Sequence, residues 1–328
     1  MGRKKDRDLW IGLDLGGTKM LASLYGPDFK RIASAKKRTK GREGAEAGLQ
    51  RIQALIRDVL AAGSVDAASL AGVGVACPGP LDLNKGIILE APNLGWKQVP
   101  IRSVIEKQFA CSAAILNDVD AGVYGEYRFG AGRKARCVLG VFPGTGIGGG
   151  CVYEGRLLRG RRTSCLELGH FPVVADGALC GCGRRGCLET VSSRLAIAAE
   201  AAKAAFRGEA PHLLSQGGTD LVNLRSNTLA ASIMGGDAAL EHIVRRAAFV
   251  LGRAIGGMVN LLAPDIVVLG GGLVEAMPDL YLEEAAKGAA ETAMPAFDGQ
   301  YAIRVAKLGD DAAVLGAAAW AEASMQAT

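Results

Sequence analysis

A two-lobed α/β fold is what this sequence predicts, and three observations predict it. Two strand–turn–strand units, "GLDLGGTKMLASLYG" near the start and "VFPGTGIGGGCVYEG" near the middle, carry glycine-rich turns and resemble one another. After each of them, short buried strands with polar or glycine ends are interspersed with helical stretches. Finally, 328 residues are too many for one average domain and fit two lobes of roughly 150 each.

The elements follow in order. "LWIGLDLGGTKMLASLYG" has apolar residues on both sides of Gly16-Gly17 and reads as a β-hairpin. "AEAGLQRIQALIRDVLAAG" has helical apolar spacing and stops at Gly63. "LAGVGVACPGP" is a short buried strand, and "CSAAILND" is another that ends in two polar residues. "ARCVLGVFPGTGIGGGCVYEGRLLRG" opens the second hairpin unit. Helices are expected around 194–207 and 226–262, with "FRGEAPHLLSQGGTDLVNLRSN" as a loop-forming insertion between them. "DIVVLGGG" is a buried strand closing on glycines, and "AAVLGAAAWAEAS" is a C-terminal helix of small residues.

Composition excludes several functions. Hydrophobic content of 49% with 22% charge belongs to a globular chain with a large core. A net charge of +5 is no nucleic-acid footprint, and the densest basic run, Arg3-Lys4-Lys5, reads as a solvated tail. The start of the chain lacks the apolar region of a secretory signal, and the apolar stretch 247–263 is broken by Arg253 and three glycines. A cytoplasmic protein with no membrane partner is therefore expected, with reduced thiols. Cys77, Cys111, Cys137, Cys151 and Cys165 then read as small hydrophobes.

"DLGGTK", residues 14–19, offers a carboxylate, two glycines, a hydroxyl and a cation. Successive N–H groups of such a turn cradle phosphate oxygens, and Asp14 is placed to hold a hydrated Mg²⁺ against them. "GTGIGGG", residues 144–150, is a second such turn with Thr145 as a hydroxyl donor. Neither is a Walker loop, and the GxGxxG at 144–149 joins two strands rather than opening a helix. Each glycine run alone is an ordinary hairpin turn. The pair, with "LGGG" at 269–272 after a buried strand, points to a nucleotide held in a cleft. Asn117-Asp118 ends a predicted strand, where α/β sheets present ligand contacts. Asp118 suits a general base for phosphoryl transfer to an alcohol; its plainer reading is an N-cap for "VDAGVYGEYRFG".

His170, Cys180, Cys182 and Cys187 have the spacing H-x9-C-x-C-x4-C. One imidazole and three thiolates make a closed tetrahedral shell for a structural Zn²⁺. A disulfide fits poorly with three reduced thiols, and unligated thiols are the other alternative. Glu167 and Glu189 bracket this knuckle, either as carboxylates aimed at a polyol or as solvated glutamates. His212 and His242 read as loop and helix surface.

With these residues aligned, the chain resembles the ROK family of sugar kinases. The resemblance rests on "DLGGTK", "CPGPLD" at 77–82, "APNLGW" at 91–96, "LND" at 116–118, "GTGIGGG", "ELGH" at 167–170, "CGCGRRGCLE" at 180–189 and "DIVVLGGG" at 265–272. It implies the actin-like ATPase (ribonuclease H-like) fold, two α/β lobes closing over a ligand cleft. The small lobe would be 1–118 with a C-terminal helix at about 312–328 packing back on it, and the large lobe 119–311 with the knuckle at 170–187. Asp14, Gly16, Gly17, Thr18 and Lys19 match the first phosphate motif, Gly144, Thr145 and Gly146 the second, and Gly270, Gly271 and Gly272 the adenosine segment. Asp118 matches the catalytic base, and Gly79, Asn117, Asp118, Glu167, His170 and Glu189 match sugar-binding positions. His170 would serve both zinc and sugar, one ring nitrogen to each.

The resemblance implies ATP, Mg²⁺ and structural Zn²⁺, a hexose acceptor phosphorylated at its 6-hydroxyl, no nucleic acid, and a homodimer or homotetramer. Glucose is the commonest acceptor; N-acetylglucosamine, N-acetylmannosamine, allose and fructose kinases share the motifs. Repressor members carry a helix-turn-helix ahead of the first phosphate motif, and thirteen residues before Asp14 are too few for one, so a sugar-sensing regulator is the lesser expectation.

Overall fold

The computed structural model describes residues 7–326, so the Arg3-Lys4-Lys5 run and the last two residues of the expected C-terminal helix lie outside the described residues. In chain order, β1 (Leu9–Leu15), β2 (Lys19–Tyr25), β3 (Arg31–Arg38) and β4 (Leu70–Cys77) begin one sheet. β5 (Leu81–Asp82), β6 (Ile87–Ala91) and β7 (Trp96–Val99) form a small separate sheet, and β8 (Ser112–Asn117) returns to the first. The order β3-β2-β1-β4-β8 has antiparallel pairs at the hairpin side and parallel pairs from β1 to β4 and β4 to β8. β9 (Cys137–Pro143), β10 (Ile147–Tyr153), β11 (Arg156–Leu157), β12 (Ile266–Leu269) and β13 (Ala302–Val305) form a second five-stranded sheet. Its order, β11-β10-β9-β12-β13, repeats that of the first. The likeness of the two glycine hairpins is thus a likeness of whole sheets.

The chain falls into two compact units, Met1–Arg133 with Gly155–Cys165 and Asp310–Thr328, and Lys134–Glu154 with Leu166–Gly309. The boundary expected at 118 lies instead after Arg133. Helix Asp118–Phe129 packs on the C-terminal helix Ala312–Gln326, and both belong to the first unit. In that unit, Ile52, Leu55, Ile56 and Val59 of helix Ala45–Ala62 cover one face of the sheet with Ile11, Leu13 and Val75. The C-terminal helix also packs on β1 and β4. Its small residues allow its backbone to come down almost onto the strands. A Cβ added at Gly74 would stand 1.8 Å from the Ala317 carbonyl oxygen. Gly74→Ala is accordingly expected to lower unfolding free energy by roughly 3 kcal/mol, the upper end for overpacking, because backbone and not a side chain would have to move. Urea denaturation measures this, and an unchanged midpoint would contradict the packing.

The second unit is centred on helix Ala238–Leu262, whose Val244, Leu251, Ile255 and Val259 join Val267, Leu269 and Tyr281 in its core. The single helix expected at 226–262 is two helices, Ser226–Met234 and Ala238–Leu262, separated at Gly235-Gly236-Asp237, where Gly236 is left-handed. The insertion read as loop contains helix Pro211–Gly217, which also moves His212 from loop to helix. Its missing cap comes from far along the chain: the Asp237 carboxylate accepts from the N–H groups of His212 and Leu213 at 3.2 and 2.8 Å. No helix among the described residues is long and apolar enough to cross a membrane.

Candidate functional site

In the first unit, parallel pairing places the carboxyl ends of β1, β4 and β8 side by side. Asp14 is in register with Ala76, and Cys77 with Asn117. The "DLGGTK" turn leaves this edge closed by Gly16 N–H donating to the Lys19 carbonyl at 3.1 Å. It is braced by Thr39, whose hydroxyl donates to the Gly16 carbonyl at 2.6 Å and whose N–H donates to the Thr18 carbonyl at 2.9 Å. Gly17, Thr18 and Lys19 are exposed at the tip, with the Lys19 ammonium 3.3 Å from Asp310. Gly79, just beyond β4, is close to the Asn117 side chain.

Asn117, and not Asp118, is the N-cap of helix Asp118–Phe129. Its Oδ1 accepts from Val119 and Asp120 N–H groups at 2.9 and 3.4 Å. Asp118 is therefore the first helical residue, half-buried, with Oδ1 also accepting from Val119 N–H at 2.9 Å. With its oxygen held by the helix, Asn117 presents an amide donor. Burial, then the neighbouring Asp118 charge, pushes the Asp14 carboxyl up to about 6, with Lys19 opposing. The Cys77 thiol, buried near both carboxylates, is pushed far up and remains neutral.

Asp14 is thus a cost to the fold when ionised. The folded chain holds this proton more tightly than the unfolded chain, whose Asp titrates at 3.8. The penalty is fully present above about pH 6 and gone below about pH 4. Asp14→Asn should therefore gain about 2–3 kcal/mol of stability near pH 8 and nothing near pH 4, read by urea unfolding without added Mg²⁺. Equal stability of variant and parent near pH 8 would contradict the burial of Asp14 and the nearness of the Asp118 charge.

In the second unit, the turn between β9 and β10 is closed by Gly144 N–H donating to the Gly146 carbonyl at 2.8 Å. Glu189 grips one side, its Oε2 accepting from Ile147 N–H at 3.1 Å. The carboxylate lies 2.3 Å from where a Cβ on Gly146 would be, so a larger residue there would push the end of the Glu189 side chain aside. β12 runs parallel to β9, and Gly270 N–H donates to the Val141 carbonyl at 3.1 Å, which places Gly270, Gly271 and Gly272 next to that turn. Arg194, which sequence reasoning missed, holds the other side: its N–H donates to the Gly144 carbonyl at 2.8 Å and its guanidinium to Thr145 Oγ1 at 2.9 Å. No local pattern marks it, because its partners are about fifty residues away.

The loop from His170 to Cys187 is closed by its own main chain. Cys180 N–H donates to the Arg184 carbonyl at 2.7 Å, Gly183 N–H to the Cys180 carbonyl at 2.9 Å, and Leu188 N–H to the Phe171 carbonyl at 2.8 Å. One ligand atom each from His170, Cys180, Cys182 and Cys187 lies within 4.8 Å of all the others. Cys182 and Cys187 sulfurs are 3.7 Å apart, and Cys180 Sγ is 3.5 Å from His170 Nδ1. A tetrahedron with Zn–S of about 2.3 Å and Zn–N of about 2.0 Å has edges of about 3.8 and 3.5 Å. The donor set and spacing fit one such ion, and His170 Nε2 is left for another partner. Glu189 joins the knuckle to the turn, since its Oε1 lies 3.7 Å from the Cys180 sulfur. Glu167, exposed, immediately precedes the short 3₁₀ turn that carries His170. Of the other cysteines, Cys77, Cys111, Cys137 and Cys151 are buried and Cys165 is half-buried.

Residues 10–324 match the ROK family. A glucokinase from Thermotoga maritima is 34% identical over 309 residues, covering 94% of this chain and 95% of the relative. The crystal structure of a ROK family glucokinase from Streptomyces griseus in complex with glucose and AMPPNP superposes with a TM-score of 0.81 at 29% identity, covering 96% of this chain and 99% of that one. A putative xylose repressor from a Caldicellulosiruptor species is 28% identical over 323 residues, covering 98% of this chain and 80% of the relative.

Proposed function

The chain belongs to the ROK family and has the actin-like ATPase fold, and from that premise we propose that it transfers the γ-phosphoryl group of ATP to the 6-hydroxyl of a hexose, with glucose as the preferred acceptor. The observation that carries this reading is Asp118, a carboxylate held at the carboxyl end of β8 by the start of a helix and within electrostatic reach of Asp14 on β1. Phosphoryl transfer needs a base and a carboxylate facing the donor's phosphates, and this pair can supply both. The relatives named glucokinase, and the one solved with glucose and AMPPNP, support the choice of sugar and donor.

Asp118 takes the proton of the 6-hydroxyl as that oxygen attacks the γ-phosphorus, and ADP leaves. Asn117, close to Gly79, donates its amide to a sugar hydroxyl, and Glu167, Glu189 and His170 Nε2 are sugar ligands as well. Glu189 uses only part of its acceptor capacity on Ile147. The turns Gly16–Lys19 and Gly144–Gly146 take phosphate oxygens, and Gly270–Gly272 the adenosine. Mg²⁺, with Asp14 as its carboxylate, supplies charge neutralisation on the phosphates. Zn²⁺ on His170, Cys180, Cys182 and Cys187 is structural, and assembly is a homodimer or homotetramer.

One coupled assay over glucose, other hexoses and N-acylhexosamines, with ATP and with inorganic polyphosphate as donors, tests the reading. The highest kcat/KM is expected for glucose with ATP. A different best sugar would move the substrate within the family. No turnover with any of them would favour sugar sensing, the reading that the repressor relative supports.

A further inference from the structure

We propose that Arg194 is a positioning residue for the phosphoryl donor, acting through the hydroxyl of Thr145; this rests on the kinase reading of the same turn. Arg194 touches the turn twice. Its backbone N–H, one of the donors that the first turn of a helix leaves without an intrahelical partner, donates to the Gly144 carbonyl at 2.8 Å. Its guanidinium spans two segments, one nitrogen donating to Thr145 Oγ1 at 2.9 Å and the other to the Leu224 carbonyl at 3.3 Å.

The direction of the proton follows from the chemistry of the pair. A guanidinium has donors and no acceptor, so the contact fills a lone pair on Thr145 Oγ1 and cannot receive the hydroxyl proton. Among the described residues Thr145 Oγ1 makes no other hydrogen bond, and Thr145 is exposed at the tip of the turn. The single O–H is therefore left to donate outward, to an acceptor that the protein does not itself provide. A cation one hydroxyl away favours an anionic acceptor and polarises the O–H toward it. A phosphate oxygen of the donor nucleotide matches that chemistry; a neutral sugar hydroxyl gains nothing from the charge. Arg194 also ties the turn to helix Arg194–Phe206, so the hydroxyl is oriented by a rigid element.

The test compares the parent, Arg194→Met, Thr145→Ala and the double variant, by steady-state kinetics and by calorimetric titration with AMPPNP. Arg194→Met retains the backbone bond to Gly144 and the aliphatic stem. It is expected to raise KM for ATP and weaken AMPPNP binding by about 10-fold, the scale of one hydrogen bond to a charged group. KM for the sugar should stay within about twofold. Thr145→Ala should do the same, and adding Arg194→Met to it should change KM for ATP by less than about twofold, because the arginine would have nothing left to orient. Equal rises in both KM values, or a full effect of Arg194→Met in the Thr145→Ala background, would overturn the proposal. Should Arg194→Met not fold, Arg194→Lys, which keeps charge without the fork, is expected to raise KM for ATP by a smaller factor, and parental values for it and for Thr145→Ala would overturn it too. A parent that binds no AMPPNP at all would instead remove the kinase reading, and this inference with it.

Discussion

Asp118→Asn is expected to reduce kcat by a factor of about 10²–10⁴ while changing sugar affinity far less, the usual contribution of a positioned general base. Asparagine is the informative replacement. It keeps an oxygen where Asp118 Oδ1 accepts from Val119 N–H, so the start of helix Asp118–Phe129 remains intact. What it loses is the capacity to take a proton. It also removes the charge that, after burial, most raises the Asp14 carboxyl. Asp14 should then ionise at lower pH, and the variant should be somewhat more stable than the parent near neutral pH. A slower enzyme that is harder to unfold, with sugar binding retained, is the combined signature to look for by kinetics, calorimetry and thermal melting. Near-parental turnover would remove Asp118 from the chemistry. A collapse of sugar binding together with kcat would make it a ligand first and a base second.

Several of these features were legible in the chain because they are local. The two glycine turns are short, the strands that flank them are mostly apolar, and the knuckle places its four ligands within eighteen residues, from His170 to Cys187. Hairpins and metal loops of this kind are determined mostly by near neighbours. What could not be read depends on partners remote in sequence. Helix Pro211–Gly217 is capped by Asp237, and the grip on Thr145 comes from Arg194. The small sheet of β5, β6 and β7 has strands too short for an alternating pattern to stand out, and is anchored by Trp96, whose indole N–H reaches the Gly41 carbonyl at 3.1 Å. The placement of helix Asp118–Phe129 in the first unit is of the same sort. It follows from close backbone packing against the C-terminal helix, which the run of alanines and glycines permits but does not announce.

On the proposed reading Glu189 serves the sugar while lying against the knuckle, and this makes metal removal the second large effect. Its two carboxylate oxygens face different neighbours, Ile147 N–H at the glycine turn and the Cys180 sulfur in the knuckle. Cys182→Ser tests the link cleanly, because Cys182 is exposed and its loss opens no cavity in the core. The parent should carry one Zn²⁺ per chain by elemental analysis, and the variant close to none after dialysis. Structural zinc contributes about 10 kcal/mol or more in isolated zinc-finger peptides. Here the second unit has a large apolar core of its own, so the chain should stay folded while its thermal midpoint falls by several degrees. Without the ion, the loop keeps main-chain bonds such as Gly183 N–H to the Cys180 carbonyl and the Arg185 guanidinium bond to the Gly177 carbonyl, but the Cys180 sulfur beside Glu189 is no longer fixed by a metal. KM for glucose should then rise by about 10-fold or more, as expected when a charged hydrogen-bond acceptor is no longer positioned. KM for ATP should rise less, since Arg194 still holds the opposite side of the same turn. Parental metal content in Cys182→Ser would take this residue out of the ligand set. Full loss of metal with an unchanged KM for glucose would leave the knuckle a stabilising clasp and detach it from sugar recognition.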